Sequence, residues 1–339
     1  MEKNKNKKKI QLTELRQDLV TGDWVVIATG RAKKPEEFAS KRRSLIEEDS
    51  NELCFFCYPE ETDQGKDSLI YEKADGEWSL RVFPNKYPAF VSGRVPKHFE
   101  EGPYFAMDGT GYHELIVTRD HYRQISQMDS VEVAEIIDAF QERYIDLMNK
   151  KSVNYIEIFH NHGKEAGASI AHPHSQLMAI PVISPYVKSE LDGAEIYHKT
   201  NKNCVYCSMI AWELEHRKRI VFENDDFLAY CPYSSRAAFE VWVLPKKHKP
   251  YFERISDDDK IALAEVLKNA LGKIYKALED PSYNFYIHTS PCDGKDYPHF
   301  HWHIEIIPRT SVWAGFELST GIEISTIQPE VAADYLRKQ

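Results

Sequence analysis

The sequence lacks the features that would place it in a membrane or on a nucleic acid. No run approaches the roughly 18 consecutive apolar residues of a transmembrane helix. The Lys- and Asn-rich start, residues 1–10, precedes no apolar stretch of a signal peptide. There is no surplus of positive charge for non-specific nucleic-acid binding, because the formal net charge is −10. We therefore expect a cytoplasmic protein with neither membrane nor nucleic-acid partners.

Cysteine is scarce, and its distribution along the chain is uneven. Four of the six cysteines form two Cys-x-x-Cys pairs, Cys54/Cys57 and Cys204/Cys207. In a cytoplasmic chain, such pairs favour metal or redox chemistry over structural disulfides. The other two cysteines are expected to be ordinary packing residues.

The two halves of the chain follow one plan. Each has a Cys-x-x-Cys pair, an alternating strand that leads to a histidine, an amphipathic helix with an acidic start, a further strand and a closing histidine cluster. The clusters are residues 172–176 (HPHSQ) and 299–303 (HFHWH). The first cluster begins as far beyond His121 as the second begins beyond His248. A shared order at so long a period predicts tandem duplication rather than a short repeat.

This duplication predicts an α+β fold made of two similar units. We expect an N-terminal unit at residues 11–192, with the first cysteine pair and the HPHSQ cluster, and a C-terminal unit at residues 193–339. Each is expected to be an antiparallel sheet packed with a helix. The helices are predicted around residues 133–148 and 261–278, where apolar residues recur at helical spacing.

The cysteine pairs and histidines predict two zinc ions per chain. Both thiolates of a Cys-x-x-Cys pair can reach one tetrahedral ion, and histidines from elsewhere complete the site. Only two cysteines serve each site, which favours zinc over an iron–sulfur cluster. The expected ligand sets are Cys54, Cys57, His121 and His172, and Cys204, Cys207, His248 with either His301 or His299. Four protein ligands leave no open position, so both ions are expected to be structural.

Small and polar residues precede the first histidine cluster. The segment from Asn161 through Gly167 to Ser169 offers amides and a hydroxyl that can donate to phosphate oxygens. With the first histidine of the cluster on zinc, His174 is left as a nucleophile towards phosphorus. Gln176 can donate a hydrogen bond to a phosphoryl oxygen but cannot supply a proton. This pattern predicts transfer of a nucleotide through a nucleotidyl-histidine to an acceptor phosphate instead of water.

The order of these motifs resembles the galactose-1-phosphate uridylyltransferase family, in the transferase branch of the histidine-triad superfamily. The resemblance runs from about Leu15 to the C-terminus. It implies two histidine-triad-like units, a homodimer, and a ping-pong reaction of UDP-glucose with galactose 1-phosphate in which His174 is uridylylated. The residues that the resemblance implies for nucleotide and sugar phosphate binding are Arg31, Lys34, Asn85, Asn161, Gly167, Ser169, Gln176, Phe316 and Glu317.

Three alternatives to this function remain. The second cysteine pair and the segment from Glu317 to Glu323 resemble the branch that includes plant ADP-glucose phosphorylase, which implies adenylyl transfer to phosphate. A nucleotide hydrolase would use His301 as the nucleophile, although no small-residue loop precedes the second cluster. A non-enzymatic zinc scaffold would not need a phosphate loop beside a non-ligand histidine. Histidines outside the motifs are interpreted as surface or packing residues: His98, His113, His198 and His216.

Overall fold

The computed structural model describes residues 13–28, 33–39, 54–62 and 65–339. In chain order, its strands are β1 (Glu14–Gln17), β2 (Trp24–Ile27), β3 (Leu69–Glu72), β4 (Trp78–Pro84), β5 (His98–Glu101), β6 (Tyr104–Met107), β7 (Tyr112–Thr118), β8 (Tyr155–His162), β9 (His174–Ile180), β10 (Ile220–Glu223), β11 (Phe227–Tyr230), β12 (Val241–Pro245), β13 (Tyr283–His288), β14 (His303–Pro308) and β15 (Ile324–Ser325). Its α-helices are α1 (Ser130–Met148), α2 (Pro185–Asn201), α3 (Val205–His216), α4 (Asp257–Leu278), α5 (Gly315–Thr320) and α6 (Pro329–Arg337). None of these helices is long and apolar enough to span a membrane.

Within these ranges, ten strands form one antiparallel sheet that runs through both halves of the chain. Their order is β10-β11-β12-β14-β13-β8-β9-β7-β4-β3. Each half contributes five strands to this sheet. Counted from the outer edge towards the centre, each half places its first, second, third, fifth and fourth strands in that order. The halves meet where β8 and β13 pair antiparallel. The predicted α+β class with antiparallel sheets is confirmed, and the repeated order agrees with a duplicated unit.

The boundary between the two predicted units does not fall in a linker. The end of residues 11–192 lies inside α2, and the two halves of the chain share the central sheet. In addition, β2 pairs with β15 of the C-terminal half in a small separate sheet. The strands of the two halves are joined by hydrogen bonds in one sheet. A boundary at residue 192 therefore stays a prediction about how the chain was duplicated.

The two long helices begin at capping residues that the sequence indicates. The Asp129 carboxylate accepts hydrogen bonds from the backbone N–H groups of Val131 and Glu132 at the start of α1, both at 2.9 Å. The Ser256 hydroxyl accepts one from Asp259 at the start of α4, at 3.2 Å. These bonds satisfy N–H groups that have no partner inside the helix. Both helices therefore start where the acidic capping signals predict.

Helices α1 and α4 pack on each other and on one face of the sheet, so the other face is left for the functional residues. Apolar residues of alternate strand positions, including Ile158 and Leu177, form the main core with these helices. Neighbouring residues in a strand point to opposite faces. The intervening residues, His174 and Gln176 among them, therefore lie on the face away from α1 and α4. Asn161 lies on this same face.

Candidate functional site

A first Cys/His cluster lies beside the start of β9. The turn at residues 54–57 supplies both thiols, while His121 follows β7 and His172 precedes β9. The His172 Nδ1 atom is 3.6 Å from the Cys54 Sγ atom and 3.4 Å from the Cys57 Sγ atom. His121 Nδ1 is 3.1 Å from Cys57 Sγ. All four ligand-type atoms lie within 4.8 Å of one another.

These four residues fit a tetrahedral zinc ion. Zinc–sulfur bonds of about 2.3 Å and zinc–nitrogen bonds of about 2.0–2.1 Å put neighbouring ligand atoms at separations of this size. His172 also presents the right nitrogen, because its Nε2–H donates to the Thr118 carbonyl 2.7 Å away and leaves Nδ1 for a metal. Such a bond on the second ring nitrogen is typical of histidine ligands. The cluster therefore has the geometry and the ring orientation of a zinc site.

A second cluster has the same design in the C-terminal half. His301 Nδ1 lies 3.6 Å from the Cys207 Sγ atom, and His248 Nδ1 lies 3.5 Å from it. The group is completed by Cys204, whose thiol has a lowered pKa because of hydrogen bonds, first from Cys207 and then from both histidines. His301 Nε2 donates to a carbonyl at the end of β12, as His172 does at the end of β7. Of the two candidates for the last ligand, the structure brings His301 and not His299 into the group.

His174 lies directly beside the first cluster, and its hydrogen bond defines its tautomer. Its Nδ1 atom is 2.9 Å from the backbone carbonyl of His172, which can only accept. The neutral ring therefore carries its proton on Nδ1 and its lone pair on Nε2. The ring packs edge-on against Phe56, whose centroid is 4.9 Å away in the Cys-x-x-Cys turn. Burial lowers the pKa of His174, which keeps the ring neutral and competent as a nucleophile.

Gln176 follows on the same face of β9 and contacts His113 of the neighbouring strand β7. Its Oε1 atom lies 2.8 Å from His113 Nε2, and the Asn85 amide nitrogen lies 3.3 Å from the same ring nitrogen. The structure thus brings Asn85 and Gln176 together through His113, which the sequence interpretation left among the packing histidines. A usable signal was present, because His113 lies in the strand that leads to His121.

The predicted phosphate loop joins β8 to β9. Gly163 and Gly167 have φ values of 79° and 88°, in the left-handed region that favours glycine. A Cβ atom on Gly163 would also collide with the Ser282 hydroxyl, whereas one on Gly167 would meet no other atom within 4 Å. Ser169 is exposed. The loop therefore has its open side at Gly167 and Ser169, where a ligand can approach the backbone.

A residue of the C-terminal half holds the base of this loop. The Asn284 side-chain amide donates to the Asn161 Oδ1 atom at 2.7 Å and to the Ala166 carbonyl at 2.8 Å. Arg309 Nε in turn donates to the Asn284 Oδ1 atom at 2.6 Å. The Asn161 amide is thus oriented with its oxygen towards Asn284 and its NH₂ group on the other side. Neither Asn284 nor Arg309 belongs to a recognisable motif, so the sequence does not predict their role in the loop.

The other predicted substrate residues lie apart from this group or outside the described residues. Arg31 lies outside the residues that the structure describes. Lys34 precedes a short 3₁₀ helix, Pro35–Phe38, and Phe316 and Glu317 lie on the exposed helix α5. In the part of the chain that the structure describes, no hydrogen bond links Lys34, Phe316 or Glu317 to His174 or Gln176. Their roles stay predictions.

The position in the C-terminal half that corresponds to His174 is His303, and its surroundings are different. Its Nδ1 atom also faces a carbonyl two residues back, that of His301, at 3.1 Å. However, His303 is 0% exposed and lies in a fully buried group with Glu190, His288 and Glu305. Arg236 forms an ion pair with Glu305 of this group. His303 therefore has no open side for a nucleotide, in contrast to the loop beside His174.

Comparison with known families agrees with this geometry. A family model described as galactose-1-phosphate uridyl transferase, N-terminal domain, matches residues 2–183. The chain belongs to the galactose-1-phosphate uridylyltransferase family. A second model, described as a domain of unknown function, matches residues 97–339. The family resemblance drawn from the HPHSQ cluster and the cysteine pairs is thus confirmed.

Curated relatives of this family match the chain over almost its whole length. The ADP-glucose phosphorylase of Arabidopsis thaliana is 34% identical over 97% of this chain and 93% of its own. The galactose-1-phosphate uridylyltransferase of Thermotoga maritima is 29% identical over 96% of this chain and 98% of its own. The names of these relatives support a nucleotidyltransferase.

Solved structures share the fold. The crystal structure of the Arabidopsis thaliana ADP-glucose phosphorylase with bound ADP-glucose has a TM-score of 0.81 and is 31% identical, covering 97% of this chain and 99% of that one. A uridylyltransferase structure has a TM-score of 0.74 at 24% identity, covering 96% of this chain and 98% of that one, and shows the fold alone. The overall fold of this chain is that of these proteins.

Proposed function

We propose that the protein transfers a nucleotidyl group from a nucleotide sugar to an acceptor phosphate through a covalent nucleotidyl-His174. The observation that carries this proposal is the hydrogen bond from His174 Nδ1 to the His172 carbonyl. It places the lone pair on Nε2, the nitrogen that must attack phosphorus. The open glycine loop and Gln176 lie on the same face of the sheet and provide donors for the phosphoryl oxygens.

The first step forms one bond and breaks one. His174 Nε2 attacks the α-phosphorus, and the bond from that phosphorus to the bridging oxygen breaks, so the sugar 1-phosphate leaves with the electron pair. The leaving phosphate is stable as an anion and needs no proton. The imidazolium that results keeps its Nδ1–H on the His172 carbonyl, which stabilises the charge. In the second step, an oxygen of the acceptor phosphate attacks the same phosphorus and His174 leaves as the neutral ring.

The polar side chains around His174 bind and orient the transferred group. Gln176 and Asn161 each have an amide oxygen engaged by a protein donor, which leaves the NH₂ groups for phosphoryl oxygens. Such preorganised donors stabilise the charge that develops on phosphorus-bound oxygens. Zinc in the first Cys/His cluster would supply no reacting group and would hold His172 and the Phe56 turn in place.

The donor is proposed from the names of the relatives, because the roles assigned here to the side chains around His174 concern the phosphates and not the base. We favour ADP-glucose with inorganic phosphate as acceptor, since the Arabidopsis relative that is 34% identical is named ADP-glucose phosphorylase. The second candidate is UDP-glucose with galactose 1-phosphate, a reaction of galactose metabolism, which the family model over residues 2–183 supports. Both reactions use the same nucleotidyl-histidine.

The hydrolase and scaffold alternatives receive less support. The hydrolase requires His301 as a nucleophile, but the Nδ1 atom of His301 faces two thiols and its Nε2 atom faces the Pro245 carbonyl. A scaffold would not require the loop at Gly167 to stay open. Two structural zinc ions and a cytoplasmic location, both inferred from the sequence, remain part of the proposal, as does the homodimer that the family resemblance implies.

Steady-state kinetics test the transfer and identify the donor together. Initial rates are measured with ADP-glucose and phosphate, and separately with UDP-glucose and galactose 1-phosphate, over a grid of both substrates. Parallel double-reciprocal lines with either pair support the nucleotidyl-histidine, and the pair with the higher kcat/KM identifies the reaction. Intersecting lines with both pairs would mean direct transfer between substrates and would contradict the proposal.

A further inference from the structure

The contacts of His113 bear on the orientation of Gln176. His113 lies on β7, and its ring is buried between β9 and the segment that contains Asn85 and Ala89. Burial lowers its pKa, so the ring is neutral and carries a single proton. Which nitrogen carries that proton decides whether His113 offers a donor or an acceptor to Gln176.

The backbone of Ala89 decides the tautomer of His113. The Ala89 N–H group points at His113 Nδ1 over 3.4 Å, and a backbone N–H can only donate. Nδ1 is therefore the acceptor, and the proton of the neutral ring is on Nε2. With Nε2 protonated, the Asn85 NH₂ group 3.3 Å away is a second donor facing that nitrogen and not a hydrogen-bond partner, because the Asn85 amide oxygen is held by the Tyr87 N–H at 2.9 Å. The tautomer is therefore assigned from the Ala89 N–H.

A proton on His113 Nε2 fixes the amide of Gln176. The only Gln176 atom that can accept it is Oε1, which lies 2.8 Å away. The NH₂ group of Gln176 is then turned away from His113. In the reverse orientation, two N–H groups would face each other at that distance, and the amide oxygen would be presented to the anionic phosphoryl group.

We propose that His113 is a positioning residue that fixes the Gln176 amide with its NH₂ group towards the transferred phosphoryl group. The inference rests on the proposed function, in which Gln176 donates to that group. Three groups act in sequence in this arrangement. The Ala89 N–H determines the tautomer of His113, the His113 Nε2–H orients the Gln176 amide, and that amide donates to the phosphoryl oxygen.

The test compares His113→Leu with His113→Gln, alone and in a Gln176→Ala background. The readout is the single-turnover rate of nucleotidyl-enzyme formation. His113→Leu is expected to lower this rate about 10- to 100-fold, below the roughly 10²–10³-fold cost of removing a donor altogether. His113→Gln keeps a side-chain N–H for Gln176 Oε1 and is expected to restore most of the rate. In the Gln176→Ala background, His113→Leu is expected to have almost no further effect.

Equal effects of His113→Leu in both backgrounds would overturn the inference, because His113 would then act independently of Gln176. The tautomer is also measured directly, by the ring ¹⁵N chemical shifts of His113 in the wild-type protein, with the signal assigned through the His113→Gln variant. A protonated Nε2 is expected, and a protonated Nδ1 would overturn the inference whatever the activity. If the wild type forms no nucleotidyl-enzyme while the shifts show Nε2–H, the proposed function fails and the orientation of Gln176 stands.

Discussion

The Nδ1 atom of His174 lies 2.9 Å from the carbonyl oxygen of His172, so the proposed nucleophile is held by a backbone that the first Cys/His cluster fixes. His172 contacts the cysteine thiols through its side chain and His174 through its carbonyl. The same cluster positions Phe56 against the His174 ring. The second cluster has the same internal hydrogen bonds but leads to the buried His303.

The two metal sites are predicted to differ in their importance for activity. Cys57→Ser removes a ligand that lies within 3.4 Å of His172, and we expect loss of one zinc per chain together with nucleotidyl transfer. Cys207→Ser is the matched variant in the second cluster. It is expected to lose the other zinc and to lower the melting temperature, while His174 can still be nucleotidylated.

Metal content by atomic emission and adduct formation by mass spectrometry check this pair of variants. Wild type is expected to hold two zinc ions per chain, in agreement with the two Cys/His groups. Full activity of a Cys57→Ser protein that has lost its zinc would show that the first site does not position the nucleophile.

Phe56 is predicted to matter for both stability and rate, in contrast to its neighbour Phe55. Phe56 is 2% exposed and contacts His174, whereas Phe55 is 42% exposed. Phe56→Ala is expected to destabilise the protein by about 3–5 kcal/mol, as for other buried phenylalanines, and to slow nucleotidylation. Phe55→Ala, in the same turn, is the control and is expected to change neither quantity much. Urea unfolding and single-turnover rates measure the two effects, and equal behaviour of the variants would contradict the assigned packing.

Gln176 is predicted to keep the reaction away from water because its amide cannot take a proton from an attacking water molecule, whereas an acceptor phosphate needs no base. In Gln176→His, a titratable ring lies two residues beyond His174 on the same face of β9. We expect the ratio of hydrolysis to transfer to rise by about 10-fold or more, since a positioned general base that activates water contributes roughly 10²–10⁴-fold to rates. Product analysis with and without acceptor gives the ratio. An unchanged ratio would show that the choice of acceptor is made elsewhere.

Asn284 is predicted to support the phosphate loop from the other half of the chain. Asn284→Ala removes the donor to Asn161 and to the Ala166 carbonyl. We expect kcat/KM to fall about 10-fold or more, because a buried group left without its partner costs roughly 1–3 kcal/mol. Asn269→Ala is a suitable control, since among the described residues that side chain bonds only to the Glu265 carbonyl within α4. If the kinetics of Asn284→Ala match the wild type, as those of Asn269→Ala are expected to, then Asn284 does not support the phosphate loop.

The sequence predicts those parts of the site whose residues are close in the chain or have a recognisable pattern. The capping residues Asp129 and Ser256, both cysteine pairs, and the HPHSQ cluster needed only local spacing. Whether His299 or His301 completes the second cluster could not be read in this way. It depends on which residue faces the thiols when the segment before β14 is folded.

What the sequence could not predict depends on strand register. Asn284 meets Asn161 because β8 and β13 pair across the two halves in one particular register, and no local pattern indicates that pairing. The role of His113 has the same cause, because its partner Gln176 is on another strand. Alternation within β7 indicates the face on which His113 lies, but not its neighbour.

His174 is proposed to carry the nucleotide, and intact mass spectrometry detects that covalent adduct. The purified protein is incubated with ADP-glucose or with UDP-glucose, alongside His174→Ala and His301→Asn. We expect a nucleotidyl adduct on the wild type and on His301→Asn, none on His174→Ala, and release of the adduct by the acceptor phosphate. The absence of any adduct with both donors, or an adduct that persists in His174→Ala, would contradict this proposal.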